Sequence, residues 1–330
     1  MRVDSPTDVH LLEPHDPILA GLVWATGRYK PAPKVDHRAT GNTFFKDGKF
    51  RLAVELYSAG IMGRIADVHE LALLHLNRAA AHLALSNFAS AYHDTDSALE
   101  YLLPEDKALR EKAFVRRARA LDGTRSFTSA SATWQAILDE SPENAKAIAG
   151  LAKTQKLLEQ SRSGTYDWAE LIKTGNSATA KLDVADFRGP IKVVKLAARG
   201  GGRGLVTTRD VKAGEVIVVE KAFGVAYSVK DETPTFAYDL HRRELRHTPD
   251  LALIDVVTAK LLENPQLANS IYSLYAGPSY PAPNLPTRRF GAEPEPPTHA
   301  TCFIDSGKIE QVINYNRSAF SSLVLLAFTD

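Results

Sequence analysis

The chain has 330 residues, 44% hydrophobic and 24% charged, which is ordinary for a globular protein and long enough for two domains. Forty basic residues against 39 acidic ones leave a formal charge of +1, so bulk attraction to nucleic acid or to a membrane surface is excluded. A lone cysteine, Cys302, excludes an internal disulfide framework and a cysteine-rich zinc module, and implies a reducing compartment, cytoplasm or nucleus.

Residues 1–37 form an amino-terminal extension with early acids and prolines in place of a basic-then-apolar signal segment. No run in the sequence approaches the ~20 apolar residues of a membrane span. Residues 38–160 then repeat themselves. Ala53, Ala91 and Ala130 stand 38 and 39 residues apart. Three residues before each is an aromatic (Phe50, Phe88, Phe127), and twelve before each is a small residue (Gly41, Ala79, Ala118). Small residues let one helix of a pair approach the next, while the aromatics and alanines fill the seam. A lengthened loop is expected at Met62 to His69, and the apolar-periodic stretch Ala145 to Leu158 predicts a capping helix. The pattern resembles the tetratricopeptide repeat, a unit of about 34 residues in two antiparallel helices.

That resemblance implies a ligand. A subset of such arrays holds the carboxylate end of cytosolic chaperones with five polar residues on the first helices of the repeats. Arg38 and Asn42, Asn77, and Lys112 with Arg116 fall in those positions, Arg38 standing where lysine is usual. A spacing of four stacks each pair on one helix face. Three cations and two amides suit a terminal aspartate's paired carboxylates. The plainer reading makes the asparagines ordinary repeat residues and the cations a solvated face.

Residues 161–188 read as a linker with one short helix around Trp168 and Leu171. From Lys192 to Phe223 the order is strand (Val193–Ala197), glycine cluster, strand (Gly204–Thr208), a Val-Lys-Ala-Gly turn in which Gly214 supplies positive φ, then strand (Glu215–Glu220). Gly-Arg-Gly-Leu alone would fit an ordinary hairpin turn, and RGGGRG a fragment of an RNA-binding segment. The full register resembles the opening of a SET domain, the fold of protein lysine methyltransferases. The resemblance implies S-adenosylmethionine as cofactor, held near Gly202, Arg203 and Gly204, and a protein lysine as substrate.

The region from about 233 to 275 reads as a helical insert, with His241 and His247 on a solvated helix face, and 276–300 as a proline-rich loop. Ser306 to Phe320 returns to an amphipathic pattern. Its Asn316 matches a cofactor-contacting asparagine of the SET family and equally suits a helix-ending residue. The family's Asn-His-Ser-Cys segment and channel tyrosine are not found; the nearest tripeptide is Asn316-Arg317-Ser318, and SSLVLLAFTD closes the sequence without following the family pattern. No catalytic residue is therefore assigned, and the ten histidines show no metal-ligand spacing. The expected fold class is α+β: an all-α tetratricopeptide solenoid followed by an incomplete, β-rich SET domain over 189–330 with its helical insert. Two functions follow from the resemblances: a methyltransferase with a protein-binding array, read through an incomplete chain, or a non-catalytic adaptor for chaperone tails.

Overall fold

The computed structural model describes residues 36–63, 67–175, 182–196, 202–226, 236–239, 244–280 and 304–316. Nearly all of the amino-terminal extension, residues 281–300 of the proline-rich loop, Cys302, His241 and the closing SSLVLLAFTD segment lie outside the described residues.

Seven helices build the array: α1 (His37–Lys46), α2 (Phe50–Met62), α3 (Val68–Ala84), α4 (Phe88–Tyr101), α5 (Lys107–Gly123), α6 (Phe127–Glu140) and α7 (Ala145–Ser163). Their starts are chemically marked. Asp36 accepts from the Ala39 amide, Asp67 from His69, and Asn144 from Lys146 and Ala147, satisfying amides that no preceding turn can reach. Gly164 ends α7 in the left-handed region at φ 68°. Each helix packs on its successor, and α1, α3, α5 and α7 also touch in series. The first helices of the pairs thus line one continuous inner face. The result is a tetratricopeptide-like helical solenoid.

The repeat register reappears as packing. Ala53, Ala79, Ala91, Ala118 and Ala130 are fully buried. Rings press where a neighbouring helix has no side chain: a Cβ on Gly123 would lie 2.2 Å from the Phe88 ring, and one on Gly150 2.5 Å from Trp134. Even the turns keep register. Gly48, Ser86 and Arg125, each two residues before a repeat aromatic, all take positive φ, at 74°, 63° and 67°. Only the first is the residue best suited to that conformation.

One buried charge ties the middle of the array. The Asp94 carboxylate on α4, 3% exposed, receives Arg78 through Nε (2.9 Å) and Nη2 (2.6 Å) and His75 through Nδ1 (2.9 Å). Burial alone would raise its pKa. Hydrogen bonds from His75 and Arg78 and the charges of Arg78 and His82 outweigh that and hold it below the ordinary value. His82 sits beside this hub with its pKa pushed down to about 4, chiefly by burial.

Past the array come α8 (Trp168–Gly175), β1 (Phe187–Arg188), β2 (Ile191–Leu196), β3 (Gly202–Thr207), β4 (Val218–Val219), β5 (Phe236–Asp239) and β6 (Glu244–His247). Then α9 (Thr248–Glu263), a 3-10 turn, α10 (Ala268–Tyr272) and α11 (Ser306–Asn316) follow. The strands form three separate antiparallel pairs, β1–β4, β2–β3 and β5–β6, among the described residues. Two readings change here. The strand expected over Glu215–Glu220 shortens to Val218–Val219. Arg209 and the Lys212 amide grip the Glu215 carboxylate, at 2.5 and 3.1 Å, and keep 209–215 a compact loop. The helical insert opens on the β5–β6 hairpin, so His247 lies on a strand and not on a helix; Pro249 suits the first turn of the helix that follows.

Val257 and Leu261 of α9, Ile271 of α10 and Ile309, Val312 and Ile313 of α11 share one core. Polar contacts fasten this unit to the array: Ser90 Oγ donates to the Glu263 carbonyl (3.0 Å), Asn264 Nδ2 to Asn87 Oδ1 (3.3 Å), and Arg51 pairs with Glu263 (3.1 Å). No described helix is long and apolar enough to cross a membrane.

Ser86 is exposed and left-handed, so Ser86→Gly is expected to raise stability by about 1 kcal/mol in urea unfolding. His82 carries a pH signature. Its folded pKa lies below the unfolded one, so its contribution is full above pH 6.5 and is lost as pH falls toward about 4. That loss is on the order of 3 kcal/mol, and His82→Gln should flatten the stability–pH slope across this window.

Candidate peptide-binding site on the inner face of the array

The five residues named for carboxylate capture lie on the three inner helices: Arg38 and Asn42 on α1, Asn77 on α3, Lys112 and Arg116 on α5. Side-chain bonds join the first two helices. Asn77 Nδ2 donates to Asn42 Oδ1 at 3.0 Å, and the Tyr57 hydroxyl donates to the same oxygen at 2.8 Å. Asn42 Nδ2 is left without a partner among the described residues, yet it is not a buried orphan.

Tyr57, 1% exposed, reaches Asn42 because α1 has no side chain at Gly41: a Cβ there would lie 2.5 Å from the tyrosine Cε1. Burial raises the Tyr57 hydroxyl pKa, and the Arg116 guanidinium partly opposes it. Arg116 is anchored by Nη1 donating 2.6 Å to the Leu76 carbonyl, on the turn beside Asn77. Burial and then the Arg119 charge pull its own pKa down, with Tyr57 opposing. Asn42, Asn77, Tyr57 and Arg116 therefore form one cluster linking α1, α2, α3 and α5.

The remaining two members differ. Lys112 is exposed. Arg38 Nε is paired with Glu70 Oε1 at 2.7 Å, each side chain about a third exposed, which leaves its Nη groups free of described partners. The ensemble presents amide and guanidinium donors and a lysine charge to the inner face, a donor set suited to an anion.

Tyr57 and Glu70 escaped the motif reading. The repeat register did hold a signal for Tyr57. It stands four after Ala53, where repeats two and three carry Thr95 and Trp134, all three almost wholly buried. Only the hydroxyl at the tip of a full ring meets Asn42. Glu70 is a first-turn acid of α3 and has no such marker.

The residues expected to hold S-adenosylmethionine are placed differently. Gly202, Arg203 and Gly204 lie inside β3, opposite Leu196, Lys195 and Val194, and not in the turn, which falls outside the described residues. A glycine needs no special φ to join an antiparallel ladder, so the strand simply begins earlier. Asn316 ends α11 and donates Nδ2 to the Tyr275 and Val312 carbonyls, both at 2.8 Å. The β2–β3 pair packs extensively only on itself. Both hydrogen bonds of the Asn316 amide nitrogen are thus made within its own unit.

No protein-family model matches the chain. It is similar to a protein named methyltransferase from Gibberella zeae, 24% identical over 239 residues that cover 71% of this chain and 31% of that protein. It is similar to the human protein-lysine N-methyltransferase SMYD4, 26% identical over 228 residues, 64% of this chain and 28% of that protein. The chain thus spans under a third of the length of these relatives. A Drosophila melanogaster DNA polymerase interacting tetratricopeptide repeat-containing protein of 47 kDa is 31% identical over 137 residues, 41% of this chain and 33% of that protein. Among solved structures, the first repeat domain of Spaghetti (RPAP3) bound to an HSP90 peptide aligns at 27% identity, covering 37% of this chain and 90% of that one, with a TM-score of 0.33. A score that low does not establish a shared fold, and the solenoid assignment rests on the helix packing described above.

Proposed function

We propose that the inner face of the array captures the acidic carboxy-terminal peptide of a protein partner, a chaperone tail being the form the repeat resemblance favours. The observation that carries this reading is the Asn42–Asn77–Tyr57 cluster with Arg116 against it. It ties the inner helices α1, α3 and α5 together, with Tyr57 of α2 bonded to Asn42 and with Lys112 and Arg38 adding charge. Binding of this kind draws on charge-assisted hydrogen bonds and weakens with salt.

For the carboxy-terminal region, the proposed reading is the opening of a SET domain, in a protein that methylates a lysine amine of a protein substrate with S-adenosylmethionine. Its support is the similarity to the two methyltransferases and the register from Lys192 to Phe223. The cytoplasm or nucleus is the compartment that goes with this reading.

A peptide ending Met-Glu-Glu-Val-Asp is expected to bind the full chain in isothermal calorimetry, more weakly as salt rises. The Lys112→Ala, Arg116→Ala double variant should abolish that binding while retaining a cooperative unfolding transition. Titration with S-adenosylmethionine tests the second reading separately. Saturable heat is expected from a working cofactor surface, and its absence would confine the function of this chain to the array.

A further inference from the structure

An amide side chain can face an anion with either end, and the two ends have opposite effects. The Nδ2 group donates to a carboxylate, whereas Oδ1 repels it. At Asn42 both acceptor sites of Oδ1 are occupied, by the Tyr57 hydroxyl at 2.8 Å and by Asn77 Nδ2 at 3.0 Å. The end left over is the donor, Nδ2.

Asn77 alone would not fix this. The two asparagines could reverse together and still hydrogen-bond to one another. Tyr57 breaks the tie, because a donating hydroxyl needs an acceptor and only the Oδ1 end of the amide is one. Its hydroxyl donates to Oδ1 at 2.8 Å, which fixes the end of Asn42 that faces it. The ring is held by packing as well: it is 1% exposed and lies where a Cβ on Gly41 would stand.

We infer that Tyr57 is a positioning residue for anion recognition: its hydroxyl locks Asn42 with the amide nitrogen outward, so that α1 offers a donor to the terminal carboxylate of a bound peptide. The residue touches no ligand itself. It acts through Asn42, and the inference rests on the array being a carboxylate-capturing surface, as proposed above.

The test uses the full chain, the Met-Glu-Glu-Val-Asp peptide as free acid, and the same peptide with its carboxy terminus amidated. Tyr57→Phe keeps the ring against Gly41 and removes only the hydroxyl. It is expected to weaken free-acid binding about threefold to tenfold, to leave amide binding unchanged, and to have no further effect in an Asn42→Ala background. The Asn42 side-chain amide signal in NMR should move on adding the free-acid peptide to the wild type and stay still in Tyr57→Phe. A merely structural tyrosine would weaken both peptides alike and act equally in both backgrounds. Unchanged free-acid affinity in Tyr57→Phe, or equal losses for both peptides, overturns the positioning role while leaving capture intact. A wild-type chain that binds acid and amide equally overturns carboxylate capture itself, and the role of Tyr57 with it.

Discussion

Close approach of neighbouring helices is the constraint on which the array depends. Two helices can meet at short distance only where one of them has almost nothing on its surface, and this chain supplies alanine or glycine at each such point. The space so made is filled by Tyr57, Phe88 and Trp134, each set against a glycine of an adjoining helix. Those rings bury large apolar area, and each sits where the glycine lets its helix approach closely. The side chains presented on the inner face are positioned by that close approach.

The same wedge links stability to recognition. Tyr57 is a core residue by burial and a polar residue at its tip, so the packing that holds the first repeat together also delivers a hydroxyl to Asn42. Arg116 reaches the cluster from the third repeat and is anchored on a carbonyl of the second. Polar contacts thus cross two repeat boundaries on the inner face, while the Asp94 hub ties α3 to α4 behind it. An array whose repeats are bridged this way unfolds less independently than apolar packing alone would require.

The carboxy-terminal region behaves otherwise. Its helices form a core of their own and are fastened to the array by a few polar contacts at the starts of α2 and α4. Its strands remain three two-stranded pairs among the described residues. Two-stranded ladders bury little area and have little to hold them by themselves. The likeness to methyltransferases is therefore a statement about sequence.

The sequence by itself determined the repeat. A spacing of 38 and 39 residues between buried alanines, with an aromatic and a small residue at constant offsets, has few physical solutions besides stacked helical pairs, since each offset recurs on one helix face. The five polar residues were named by the resemblance to carboxylate-binding arrays, and they lie on α1, α3 and α5. What the sequence left undecided depends on contacts between residues far apart in the chain. Tertiary structure decided that Asn42 meets Asn77 and Tyr57, that Arg38 is held by Glu70, and that Arg116 rests on the Leu76 carbonyl. It also decided where β3 begins, since a glycine's conformation is set by the strand across from it and not by its own side chain. Periodicity specifies a face; the partner on that face is chosen by how neighbouring helices pack, which is set by contacts between residues far apart in the chain.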